Sequence, residues 1–222
     1  MALSKNMERV LNKQINAEIF SAYLYKSMAA YFESVNLSGF AHWMSLQAQE
    51  ELAHSDKFFV YVGERFGKVV LTAIDAPKTE WQSPLDVFKD AFAHEKKVTK
   101  LIYNLVDVAR QEKDFATENF LQWFVTEQVE EESSADAIVN KLEMVGNDKK
   151  GLYLLDQELD VVAAAPKVFS KGHEHSAYHQ HRALSLWRPP ECGPSEHQGP
   201  RIPQPILHIS QQYPELLERL TV

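Results

Sequence analysis

Four long stretches of this sequence place apolar side chains at spacings of three and four, and every one of them interrupts its apolar stripe with a carboxylate or an amide. The first reads Leu11, Ile15, Glu18, Ala22, Tyr25, Ala29, Phe32; the second Met44, Gln47, Glu51, His54, Phe58, Val62; the third Phe88, Ala91, Glu95, Val98, Ile102, Leu105; the fourth Phe124, Gln128, Glu131, Ala135, Ile138, Leu142. Such intervals line one side of an α-helix. Helices are expected from Ser4, an N-cap residue, to Ser34, and from Ser38 to about Phe66 with a stop at Gly67. Each spans roughly 45 Å. Ser83-Pro84, in cap-then-proline order, opens a third helix reaching about Gln111. Lys113-Asp114 turns the chain into a fourth ending near Gly146, and a short fifth runs from Lys149 to Ala163. Short connections make antiparallel neighbours, whereas residues 67–82, with Pro77 and no helical period, are long enough to travel the length of a bundle. The expected fold is all-α: a four-helix bundle with one long crossover, a short fifth helix and a C-terminal extension.

The interrupting acids carry the chemistry. Burying an unpaired carboxylate costs several kcal/mol, and a marginally stable domain does not carry several of them uncompensated. Any single one could sit near a helix end or reach water, but Glu18, Glu51 and Glu95 all lie near the middle of their helices, and midpoints meet in antiparallel packing. Glu51 and His54 add a Glu-x-x-His pair on one helix face. The stripes contain no Lys or Arg, so the expected compensation is a bound metal. Carboxylate oxygens with an imidazole suit iron or manganese and also accept zinc. Two ions sharing a glutamate would account for so many acids, and such a pair can pass two electrons to dioxygen.

A formal net charge of -8 disfavours nucleic-acid and anionic-membrane surfaces and favours cations. Cys192 is the one cysteine, which excludes an intrachain disulfide, a Cys-rich zinc site and a rubredoxin-type iron site, and fits a reducing compartment. With neither a signal-peptide core nor a membrane-length apolar run, the expected location is the cytoplasm.

Several motifs together resemble the bacterial non-haem ferritins over residues 1 to about 162. They are Gln14-Ile-Asn-Ala-Glu18 and Tyr23-Leu-Tyr25, the run Gly39 to His54, His94-Glu95, Phe120 to Glu131, and Leu152 to Leu159. Ferritin-like bundles are themselves the standing example of this topology and of metal held in a bundle core. The resemblance implies a first iron site at Glu18, Glu51 and His54, with Glu51 bridging to a second formed with Glu95. Tyr25 and Gln128 become close neighbours that tune the pair. Glu50, Glu127, Glu130 and Glu131 resemble an acidic third site, Glu131 also reaching the dinuclear pair. The implied reaction is oxidation of two Fe(II) by dioxygen or peroxide, with Fe(III) passed to a mineral inside a homo-oligomeric shell of about 24 subunits.

Departures from neighbouring families narrow this further. The fourth helix reads Glu127-Gln-Val-Glu130 where bacterioferritins have a second Glu-x-x-His, and Leu52 follows the bridging Glu where they place a haem-ligating Met. Haem is therefore not expected. Trp123 reads equally as a core aromatic or an electron carrier, and Glu118 as an exposed acid rather than a pore residue. The domain boundary falls at residue 165: residues 1–165 contain two of the ten prolines, and 166–222 the other eight with six of the nine histidines. This tail is expected to be a disordered, proline-punctuated extension from a fusion or frameshift, although His173, His175, His179 and His181 have metal-binding spacing. Two rivals remain: a helical bundle binding redox-inert divalent metal, and a shell subunit whose tail impairs assembly.

Overall fold

The computed structural model describes residues 2–164. Within them lie five helices and no strand: α1 (Lys5–Ser34), α2 (Ser38–Glu64), α3 (Pro84–Gln111), α4 (Phe115–Val145) and α5 (Lys149–Ala164). The expected tail and its histidines fall outside the described residues.

The starts of α1 and α3 follow the caps read from sequence, Asp114 in the expected turn proves to cap α4, and α2 starts after Leu37 without a side-chain cap. Ser4 Oγ accepts from Met7 N–H at 2.9 Å, Ser83 Oγ from Asp86 N–H at 3.2 Å ahead of Pro84, and Asp114 Oδ1 from Thr117 N–H at 3.1 Å. The helix ends are less conventional. Asn36, Phe66 and Lys113 take left-handed backbone, at φ of 59°, 57° and 55°, just past α1, α2 and α3. In each case the next residue's N–H reaches five residues back: Leu37 to Phe32 O, Gly67 to Val62 O, and Asp114 to Ala109 O. So α2 ends at Glu64 rather than near Phe66, and Phe66, not Gly67, supplies the left-handed turn. Gly67 is needed for space, because a Cβ there would lie 2.9 Å from Val62 Cγ1 and 3.1 Å from Leu3 Cδ1.

The crossover follows α1. Asn12 donates to Lys68 O at 2.9 Å and accepts from Val70 N–H at 2.6 Å, Asn16 reaches Ala73 O at 3.4 Å, and Ser27 reaches Lys78 O at 2.7 Å. The link therefore climbs from the start of α1 to its end, and α3 begins where α1 finishes. Helices α1 and α2 are antiparallel, as are α3 and α4, and α3 opposes α1.

This arrangement divides the apolar core in two. One cluster takes Met28, Phe32, Phe40, Met44, Phe88 and Leu142 from one end of the bundle, joined by Leu155 and Leu159 of α5. The other takes Leu11, Ile15, Phe58, Val62, Ile102 and Phe124 from the opposite end. The segments between them hold Glu18, Gln47, Glu51, His54, Glu95, Gln128 and Glu131, all buried. The apolar ends fix this polar layer, with ring pairs such as Phe58–Phe124 at 4.1 Å and Phe32–Phe40 at 5.0 Å.

Candidate metal centre

Glu18, four residues after Gln14 and on the same face of α1, accepts from its Nε2 at 2.9 Å. The other oxygen of Glu18, Oε2, has no hydrogen-bond partner, and neither does Glu51 Oε2; both are buried. His54, one turn beyond Glu51 on α2, turns Nδ1 to within 3.7 Å of Glu51 Oε2. Glu18, Glu51 and His54 each offer one ligand atom within 4.8 Å of the other two.

Their protonation reflects this confinement. Burial, then the charge of Glu51, pushes the Glu18 carboxyl well above the usual carboxylate range. Burial, then Glu95, does the same to Glu51. No Lys or Arg is among the principal groups acting on either acid. Burial also pulls His54 down, which favours the neutral imidazole that ligates metal. Two buried carboxylate oxygens with no donor other than each other's proton, beside a neutral imidazole, are the donor set a hard or borderline cation requires. A cation bound here would supply the missing partner and compete with protons for these oxygens.

Glu95 approaches from α3 and is held by its neighbours. Tyr25 donates its hydroxyl to Glu95 Oε1, and Gln128 Nε2 donates to Glu95 Oε2 at 3.3 Å. Burial raises Glu95, while the hydrogen bonds from Tyr25 and Gln128 oppose the rise. Glu95 is not in the three-ligand group, yet its charge is felt at Glu51 and at Tyr25, whose phenol is raised first by burial and then by Glu95.

A second group brings His54 together with Glu127 and Glu131 of α4, again within 4.8 Å, with His54 Nε2 4.0 Å from Glu127 Oε1. Glu131 Oε2 accepts from Gln47 Nε2 at 2.8 Å. The imidazole thus stands between two carboxylate groups. A neutral imidazole has one unprotonated ring nitrogen, so His54 can ligate an ion on one side only. Glu50 is half-buried and Glu130 exposed, and both lie outside these groups, although the charge of Glu50 acts on Glu51 and His54.

Sequence reasoning gave no role to four residues that touch this layer. Gln14 and Gln47 orient Glu18 and Glu131. Thr99 accepts from Gln128 Nε2 at 3.2 Å and meets Glu132 Oε1 at 2.5 Å, which links Glu95 to a half-buried acid. Gln47 was visible on the α2 stripe and Gln14 one turn before Glu18, whereas Thr99–Glu132 is an interhelical meeting with no local signature.

A ferritin-like domain profile matches residues 8–145, and so spans all four long helices. The chain belongs to the ferritin-like family. It is 44% identical over 157 residues to a bacterial non-haem ferritin of Staphylococcus aureus, a match covering 71% of this chain and 95% of that one. It is 45% identical over 157 residues to the bacterial non-haem ferritin of Bacteroides fragilis, covering 71% and 98%. Among solved structures, an open-pore ferritin from the hyperthermophilic archaeon Archaeoglobus fulgidus is 56% identical with a TM-score of 0.72, covering 72% of this chain and 99% of that one. In this ferritin-like chain Trp123 is half-buried, with its ring centroid 5.4 Å from that of His54, and Glu118 Oε1 accepts from Arg110 Nε at 2.7 Å. Among the described residues no helix is long and apolar enough to cross a membrane.

Proposed function

We propose that this chain stores iron and oxidises it on the way in, as a ferroxidase taking two Fe(II) ions at the buried layer. The observation that carries this reading is the pair of partnerless, buried carboxylate oxygens on Glu18 and Glu51 beside His54, in a chain of the ferritin-like family. The substrate ions fit between Glu18, Glu51 and His54 on one side and Glu51 and Glu95 on the other, Glu51 being the shared ligand. Tyr25 and Gln128 hold Glu95 in place by donating to its two oxygens. Each ferrous ion gives up one electron; dioxygen accepts the two, takes up two protons and leaves as hydrogen peroxide, itself a further oxidant. Burial favours the protonated form of these carboxyls while no cation is present, so entering ions compete with protons for them.

Glu127 and Glu131, with Glu130 on the same helix and Glu50 on α2, form a third, more exposed acidic site on the route from the pair to a mineral. The shell is a homo-oligomer of about 24 subunits, in keeping with the ferritin-like bundle. It needs neither haem, nucleic acid nor membrane. A reducing, cytoplasmic setting suits iron arriving as Fe(II), in keeping with one cysteine in 222 residues.

The test is aerobic addition of Fe(II) near pH 7. The wild-type chain is expected to give a rapid ferric absorbance rise, and Glu51→Ala to lose it by at least tenfold in rate. An unchanged fast phase in that variant would mean that the shared ligand is misassigned. Redox-inert binding, the rival reading, predicts metal uptake without any oxygen consumption.

A further inference from the structure

Lys57 lies one helical turn before Tyr61 and three residues beyond His54, half-buried on α2. Its Nζ sits 3.0 Å from the centre of the Trp123 ring, on the indole face. The same indole meets the His54 ring edge-on at 5.4 Å. Trp123 therefore holds a cation beside the second carboxylate group. The electrostatic consequence is felt on both sides: Glu127 favours the charged form of Lys57, and Lys57 disfavours protonation of His54. Burial lowers Lys57 to about 8, so it remains mainly charged at neutral pH. No Lys or Arg is among the principal groups acting on Glu18, Glu51 or Glu95, so of the acids in the two groups it is Glu127 that faces this ammonium, while His54, which it also reaches, is shared by both.

We propose that Lys57 is a tethered counter-ion on the Glu127 side of the His54–Glu127–Glu131 group, parked on Trp123, which weakens the hold of these acids on a metal cation, His54 being engaged at the other group, so that an ion there is passed on. The inference rests on the proposed reading of this group as an iron-transit site. Buried carboxylates with no ammonium nearby hold their ions for reaction; the group with a built-in competitor releases them. A metal ion taking Glu127 loosens the attraction that keeps the ammonium over the ring, so occupancy is reported by the indole. Lys57 touches no reacting atom in this scheme and is a positioning residue.

The experiment is Zn(II) titration of the full chain, followed by calorimetry and tryptophan emission, in wild type, Lys57→Met and Lys57→Arg. Methionine keeps the length and helix preference of lysine and removes the charge. In Lys57→Met the weaker class of sites is expected to tighten roughly tenfold, as loss of one nearby repulsive charge of about 1.4 kcal/mol requires. The tighter class, which meets Lys57 through His54 alone, should shift less than the weaker one, Lys57→Arg should restore the wild-type value, and the emission change that accompanies weak-site filling should vanish only in Lys57→Met. Equal weak-site affinity in all three chains would overturn the proposal, as would equal loosening in Met and Arg variants, which marks a packing role. Failure of the underlying reading looks different: the wild-type chain would then show no weaker class of sites at all.

Discussion

At the residue scale, the main tension is between the centre and the fold that contains it. Glu18 and Glu51 are raised well above the usual carboxylate pKa of about 4.5, so the folded, metal-free chain holds protons that the unfolded chain releases. The sign follows from linkage: their stabilising contribution is greatest in acid and is lost as pH rises from about 4.5 toward the raised values. Between pH 5 and pH 7 these two groups therefore make metal-free protein less stable. Glu18→Gln keeps the shape without the charge, and is expected to stabilise the metal-free chain by roughly 1–3 kcal/mol at pH 7 while weakening metal binding. Thermal melting of both chains with chelator checks this, and a lower melting temperature for the glutamine variant would contradict it. The i, i+3 and i, i+4 spacings made these positions legible in sequence, because a stripe has one face. Which His54 nitrogen meets which acid was not legible, since it depends on the interhelical angles that bring Glu127 of α4 to α2.

At the scale of elements, helix starts and the crossover were legible because Ser4, Ser83-Pro84, Asp114 and the aperiodic stretch around Pro77 act locally. Phe66 was not, because a left-handed phenylalanine is disfavoured on its own and is imposed by the hydrogen bonds that close α2. The docking of α5 was hidden for a similar reason. A Cβ on Gly39 would stand 1.8 Å from Asp156 O, so the first turn of α2 touches α5 backbone to backbone. Asp156 also accepts from Phe40 N–H at 3.1 Å, occupying one of the donors left open at the start of α2. Gly39→Ala is expected to displace α5, with faster amide hydrogen exchange across residues 149–164 and a loss of about 2–4 kcal/mol from the overpacked contact. Exchange unchanged from wild type would show that α5 is held elsewhere. The polar layer itself lies well away from this contact and should still bind metal.

For the whole molecule, two apolar ends clamp a polar, acid-rich middle, and the sequence announced this in the match between helix midpoints and acid positions. Residues 2–164 contain every group the proposed chemistry uses. A chain cut after residue 165 is thus expected to fold, to form the same large particle by light scattering and to oxidise Fe(II) at the same initial rate per subunit. A small particle from the full chain and a large one from the truncated chain would instead make the tail an obstacle to assembly. The central claim, two irons oxidised together at one buried pair, is tested most directly by loading Fe(II) without oxygen and then measuring fast oxygen uptake per subunit. The account predicts about two Fe(II) oxidised per subunit in the fast phase and about one dioxygen consumed for each two. Tight binding of the same ions with no fast oxygen uptake would contradict it.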